Sequence, residues 1–163
     1  MLIRRLARPM LSAIFIFGGI NTLRDSQNHA KAAEPLLDKA RPAVEALPAQ
    51  VPTDAETLVR IDGAVKVGAG ALLALGKFPR LSSLLLAGSI VPTTLAAHSY
   101  WEIEDPQERA AQQIHFLKNT GLLGGLMLAA VDTGGKPSVG YQAKSKAKKA
   151  KKKADKKTAK AKR

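Results

Sequence analysis

Apolar residues gather into four stretches along the chain, about 9–23, 54–76, 80–101 and 106–131, with charged and polar residues collected between them. A helix needs about 20 residues to cross roughly 30 Å of hydrocarbon, so the pattern predicts an all-α bundle of four transmembrane helices. The intervening segments alternate in sign. Arg4, Arg5 and Arg8 precede the first stretch, Lys77 and Arg80 separate the second from the third, and Lys136 with a Lys-rich tail follows the fourth. Residues 24–59 instead hold four basic and six acidic side chains, and residues 99–113 hold Arg109 against Glu102, Glu104, Asp105 and Glu108. Lys and Arg mark the cytoplasmic side. Both termini are therefore expected there, in a multi-pass protein of the cell membrane.

Local signals refine these boundaries. Pro9 suits the first turn of a helix. The external segment 24–53 carries Pro35, Pro42, Pro48 and Pro52, which argue against one long regular helix, while Leu36, Leu37, Ala40, Val44 and Leu47 share one helical face. A broken amphipathic helix lying on the outer surface is the expectation. Thr53-Asp54-Ala55-Glu56 matches a capping box at the start of helix 2, and Lys77-Phe78-Pro79-Arg80 makes a short turn into helix 3. Leu81 to Trp101 has no charged residue in 21 positions and is the strongest spanning signal. Asp105-Pro106-Gln107-Glu108 opens helix 4, and Asp132-Thr133-Gly134-Gly135-Lys136-Pro137 stops it. The basic start, the apolar run Met10–Ile20 and Ala30-Lys31-Ala32 also invite a signal-peptide reading. Arg24 and Asp25 intervene, and a retained helix is favoured.

Polar residues inside the stretches point to a site. At 1.5 Å rise per residue, Lys66 lies roughly 16 Å above Lys77 and Asp62 about 22 Å above it, on one helical face. Lys118 lies about 21 Å above Asp132, and Asn21 about 20 Å above Arg8. Ionisable groups at such depth face the bundle interior and pair, so an Asp62–Lys118 bridge is expected, with Lys66, Asn21 and Asn119 nearby and His98 and Trp101 closing the pocket at the outer rim. Pro92, at about 18 Å, is expected to bend helix 3 and free a carbonyl. Two readings remain open: an ion pair that fixes helix register, or a pocket for a headgroup or quinone, or for proton transfer. Gly68, Gly121, Gly124 and Gly125 permit close helix packing, and Gly121 and Gly125 form a G-x-x-x-G pair.

Net charge is +13, yet residues 144–163 hold 12 basic groups against the single Asp155, which places +11 in the tail and leaves +2 for the remainder. The tail is Lys, Ala and a few polar residues without aromatics, unlike a folded nucleic-acid surface. Lys144–Arg163 is read as a low-complexity basic tail, 140–163, attached to a membrane domain, 1–139, and suited to anionic lipid or another polyanion. The chain has no cysteine, which excludes thiol chemistry and sulfur-ligated clusters. His29, His98 and His115 lack metal-like spacing. No nucleophile with its base and no phosphate loop stands out, so no catalytic residue is assigned.

Ala97-His98-Ser99-Tyr100-Trp101, followed by Phe116-Leu117-Lys118-Asn119-Thr120-Gly121-Leu122-Leu123-Gly124-Gly125-Leu126, resembles the DoxX family of small four-helix membrane proteins. Arg8 to Gly19 and the Gly68 to Gly76 pattern extend the likeness over about residues 4–135. The resemblance implies an integral membrane partner of oxidoreductases handling thiosulfate, thiols or superoxide, in some members linked to quinone. The Ala- and Arg-rich, cysteine-free composition is compatible with a bacterial inner-membrane protein. The functional expectation is a redox-associated membrane subunit that is not an enzyme on its own. A membrane anchor with a polyanion-binding tail and a small proton-linked transporter are the alternatives.

Overall fold

The computed structural model describes residues 2–45 and 54–132, with 144, 145, 148 and 151 of the tail. The chain divides into two units, Met1–Val131 and Asp132–Arg163. Most of the second, and with it most of the expected tail, lies outside the described residues. Those of the first unit form α1 (Leu2–Arg24), α2 (Ser26–Glu45), α3 (Ala55–Ala74), α4 (Pro79–Ala97), a 3-10 turn (Tyr100–Glu102) and α5 (Pro106–Val131). No strand occurs among them.

Helix α1 begins seven residues earlier than the sequence pattern implied and runs through Pro9. The ring removes one donor, and the carbonyl it leaves without a partner belongs to Arg5, an exposed residue whose backbone can be hydrated. The same reasoning corrects the expected break in the external segment. Helix α2 continues through Pro35 and Pro42 to Glu45. Each proline frees the carbonyl four residues earlier, on exposed Lys31 and Asp38, and the two prolines fall on one face because they are two turns apart. Leu36, Leu37 and Ala40 are half-buried on the inner face, and Ala30 is buried. Pro48 and Pro52 lie outside the described residues.

At α3 the cap is Asp54, whose carboxylate accepts from the Thr57 amide at 2.8 Å, while Thr53, favoured by the capping-box pattern, falls outside the described residues. Its C-terminus closes with the Gly76 amide donating to Leu73 O and the Lys77 amide to Leu72 O at 2.8 Å. That double closure needs a left-handed residue at its corner, supplied by Gly76 at φ 68°. Pro79 opens α4 at the first turn. The helix ends four residues earlier than expected: it stops at Ala97, where His98 leaves helical geometry and the Ser99 hydroxyl donates to Leu95 O at 2.6 Å. Helix α5 starts where predicted, with the Glu108 amide donating to the Asp105 carboxylate at 2.8 Å.

Four helices share one core, built from Phe15 of α1, Ala69 and Leu73 of α3, Leu86 and Ile90 of α4, and Leu126 of α5. Helix α3 lies among α1, α2 and α4. It runs antiparallel to α1, with Leu23 beside Gly63, Ile16 beside Gly70, and Arg8 beside Gly76. Gly19 makes this approach possible: a methyl there would stand 2.7 Å from the Gly63 carbonyl oxygen and 2.8 Å from Lys66 Cβ. The glycines singled out from sequence behave otherwise. At Gly68, Gly121 and Gly124 an added methyl would meet nothing within 4 Å, and at Gly125 it would touch only Leu11 at 3.5 Å. A glycine pattern specifies a smooth helix surface but not which neighbour, if any, covers it.

The burial pattern is inverted relative to a water-soluble bundle. Ser12, Ser82, Ser83, Ser89, Thr94 and Lys66 are buried, while Met10, Phe17 and Leu128 are each more than 70% exposed. Three helical stretches, Leu2–Arg24, Pro79–Glu102 and Pro106–Val131, are long and apolar enough to cross a membrane. Helix α3, the fourth of the expected spans, is not among them: three charged residues, Arg60, Asp62 and Lys66, stand within its apolar run.

Candidate functional site

Asp62 and Lys66 sit one turn apart on α3, so their side chains emerge from the same face. Lys66 Nζ lies 2.6 Å from Asp62 Oδ2, and the lysine side chain is only 9% exposed. Facing α4 completes the site. Lys66 Nζ donates to Thr93 Oγ1 at 2.9 Å, the Ser89 hydroxyl donates to Asp62 Oδ1, and Thr93 Oγ1 in turn donates to Ser89 O at 2.8 Å. Every member is bonded, which a buried ion pair requires to offset its desolvation. Chemically the cluster can hold a charge pair between two helices and pass a proton among carboxylate, hydroxyls and amine.

The expected Asp62–Lys118 bridge does not form. Equal depth, which the sequence spacing implies for the two residues, does not fix azimuth. Lys118 points away from α3: it is exposed, and its ammonium contacts His115 Nδ1 at 3.1 Å. Asn21 is also exposed and apart from the cluster. Pro92 lies within α4 at an exposed position, and the helix continues past it to Ala97.

Asn119 joins a second arrangement, between α4 and α5. Its Nδ2 donates to Thr94 Oγ1 at 3.0 Å, and Thr94 donates to Ile90 O. Both residues line a groove of about 120 Å³ walled by Ile90, Leu95, Phe116 and Leu123. Nearer the loop, His98 Nδ1 contacts Gln112 Oε1 at 2.6 Å and its ring stacks on His115 with centroids 5.2 Å apart. Trp101 is half-exposed and meets Tyr100 and Phe116 edge to face. The sequence-predicted residues thus divide: Asp62 and Lys66 form one cluster, Asn119 belongs to the groove, His98 and Trp101 to the rim, and Lys118 to the outer face of α5.

Sequence reading missed Ser89, Thr93, Thr94 and Gln112. A signal existed for the hydroxyls, since Ser82, Ser89 and Thr93 recur at helical spacing in a segment otherwise free of charge. It also missed a network tying α2 to α3, in which Ser26 Oγ donates to Glu56 Oε1 at 2.9 Å, Arg60 Nε donates to Ser26 Oγ at 3.2 Å, and Arg60 pairs with Glu56 at 2.7 Å. At the head of α3, the hydrogen bond from Thr57 holds the Asp54 carboxyl below its ordinary value of 3.8.

The sequence profile described as DoxX matches residues 3–99, well over half of the chain. The chain belongs to the DoxX family. Comparison with curated proteins and with solved structures gives no match. Family membership and the three apolar helices together make this a small multi-pass membrane protein, in a family often linked to redox-related function. Asp62, Lys66, Ser89, Thr93 and Thr94 all fall inside the matched DoxX region. The Lys118-Asn119 and Gly124-Gly125 segment, on which the sequence resemblance also drew, lies beyond it.

Proposed function

We propose that this DoxX protein is a noncatalytic membrane subunit of a redox-associated assembly, which docks an oxidoreductase and holds a quinone in the groove between α4 and α5. The observation carrying this reading is the groove itself, with the Asn119–Thr94 hydrogen bond at its lining and apolar walls around it. Small-molecule sites combine apolar walls with a few convergent polar groups, and a quinone has a carbonyl head and an isoprenoid tail to match. In this reading α3 is a fourth crossing, supported by its antiparallel course beside α1 and by the inward pairing of its charges. Four crossings return the C-terminus to the side of the N-terminus, the cytoplasmic one by the basic residues around Arg5, Lys77 and Arg80. Lys144–Arg163 then faces the anionic inner surface of the cell membrane.

Mild-detergent purification tests the proposal, with identification of copurifying proteins and extraction of bound lipids. The expected result is an oxidoreductase subunit and a quinone, with the quinone lost in Asn119→Leu. Recovery of neither overturns the reading in favour of a membrane anchor. A second reading, a small proton-linked transporter, is favoured by the buried Asp62–Lys66 pair. Proton uptake by reconstituted vesicles, abolished in Asp62→Asn, is its signature.

A further inference from the structure

The geometry points to a phospholipid site on the outer half of α5, where Lys118, held by His115, binds the phosphodiester of an anionic glycerophospholipid. It rests on the multi-pass reading, in which α5 crosses the bilayer with Val131 at the inner boundary.

Depth comes first. Lys118 is 13 residues from Val131, so its Cα stands roughly 20 Å above the inner boundary and about 10 Å below the outer edge of the hydrocarbon. Its side chain is exposed on a face that otherwise presents Ile114, Leu117 and Leu128, each at least 60% exposed. Those three suit acyl chains, and a bare ammonium among them does not. The lysine is directed accordingly. Its Nζ reaches back one turn to His115, toward the outer surface, the direction in which long cationic side chains extend to meet headgroups.

The contact with His115 fixes the donors. A charged ammonium carries three N–H groups and no lone pair, so His115 Nδ1 must be the acceptor and the imidazole proton resides on Nε2. Two Lys118 N–H groups therefore remain to serve an anion, while His115, whose Nε2–H points to the far side of the ring, holds the ammonium in place. The imidazole is held in place from behind: His98 stacks on it with an interplanar angle of 17°, and Gln112 fixes His98 at 2.6 Å. A held ammonium with two free N–H groups matches a phosphodiester, which carries one negative charge and two free oxygens. Phosphatidylglycerol has no ammonium of its own to compete, whereas phosphatidylcholine does.

The cysteine-free sequence makes the test direct. Ile114→Cys, one turn from Lys118 on the exposed face, is labelled with bimane and the full chain is reconstituted in phosphatidylcholine vesicles. Quenching by chain-brominated phosphatidylglycerol is compared with quenching by brominated phosphatidylcholine. The expected preference for phosphatidylglycerol is about fivefold, retained in Lys118→Arg, reduced in His115→Phe, which keeps the ring stack but not the nitrogen that holds the ammonium, and abolished in Lys118→Met. Cations elsewhere on the chain are common to all variants, so an equal preference in wild type and Lys118→Met overturns the site. Reversal by excess soluble glycerol phosphate overturns a membrane lipid as the source of the anion. Absence of quenching by either lipid is a distinct outcome: it removes α5 from the bilayer and overturns the multi-pass reading itself.

Discussion

Replacing Asp62 by leucine leaves the Lys66 ammonium inside the bundle with Thr93 as its described hydrogen-bond partner. The lysine side chain is 9% exposed and sits 2.6 Å from the carboxylate in the native protein, so the lost interaction is short and poorly hydrated. Removing one partner of such a pair costs about 3–5 kcal/mol. For a domain of this size that corresponds to a fall in Tm of roughly 10 °C or more. Lys66→Met should cost a comparable amount by stranding the carboxylate beside Ser89. The informative variant is the double change, Asp62→Leu with Lys66→Met, because swapping both charges for apolar groups of similar size removes the desolvation penalty together with the attraction. Its Tm is expected to return to within a few degrees of wild type. Thermal unfolding in mild detergent, followed by circular dichroism, measures all three, and the cycle yields the coupling directly. Additive losses in the double variant would refute the pairing. A matching cycle between Asp62 and Lys118 should give no coupling, since the two face different surroundings.

Gly19→Ala should destabilise the α1–α3 contact by about 1–3 kcal/mol through overpacking, whereas Gly121→Ala and Gly124→Ala, which enter open space, should be neutral or stabilising in the detergent-solubilised protein; equal effects at the three sites would contradict the packing. Gly76→Ala forces a Cβ into a left-handed corner at φ 68° and should cost about 1–2 kcal/mol, read as a lower Tm. The folded-state value of the Asp54 carboxyl is depressed, so its stabilising contribution is fully present above the ordinary value of 3.8 and is lost as pH falls through the depressed one; Asp54→Asn should flatten that part of the Tm-against-pH curve, and an unchanged curve would dismiss the cap.

Helix positions were legible because apolar runs, capping residues and prolines act locally. The discrepancies at Pro9, Pro35 and Pro42 share a cause: the carbonyls they free, on Arg5, Lys31 and Asp38, stand on exposed residues where they can be hydrated, and exposure is a tertiary property. The candidate site was half legible. One-turn spacing put Asp62 beside Lys66 by geometry alone, but the choice between Lys66 and Lys118 as partner depends on how α5 is rotated about its own axis. Nothing in the depth of a residue reports that rotation. Ser89 and Thr93 escaped notice because hydroxyls in a transmembrane helix usually satisfy their own backbone, as Ser83 and Thr94 do here. Only the presence of Asp62 opposite them distinguishes a structural hydroxyl from one that completes a charge pair.

Helix α3 carries Arg60, Asp62 and Lys66 within its span, yet it lies among α1, α2 and α4. Asp and Lys each oppose membrane insertion by about 2.5–3.5 kcal/mol at mid-helix, so α3 emerging from the ribosome has little drive to leave the aqueous translocation channel alone. The hydroxyls that receive its charges arrive only with α4, 27 residues later. With α3 crossing as proposed, biogenesis should insert α3 and α4 as a single hairpin, and a cysteine placed in α3 should react with a water-soluble thiol reagent in truncated chains ending before Ser89 and be protected in chains reaching Ala97.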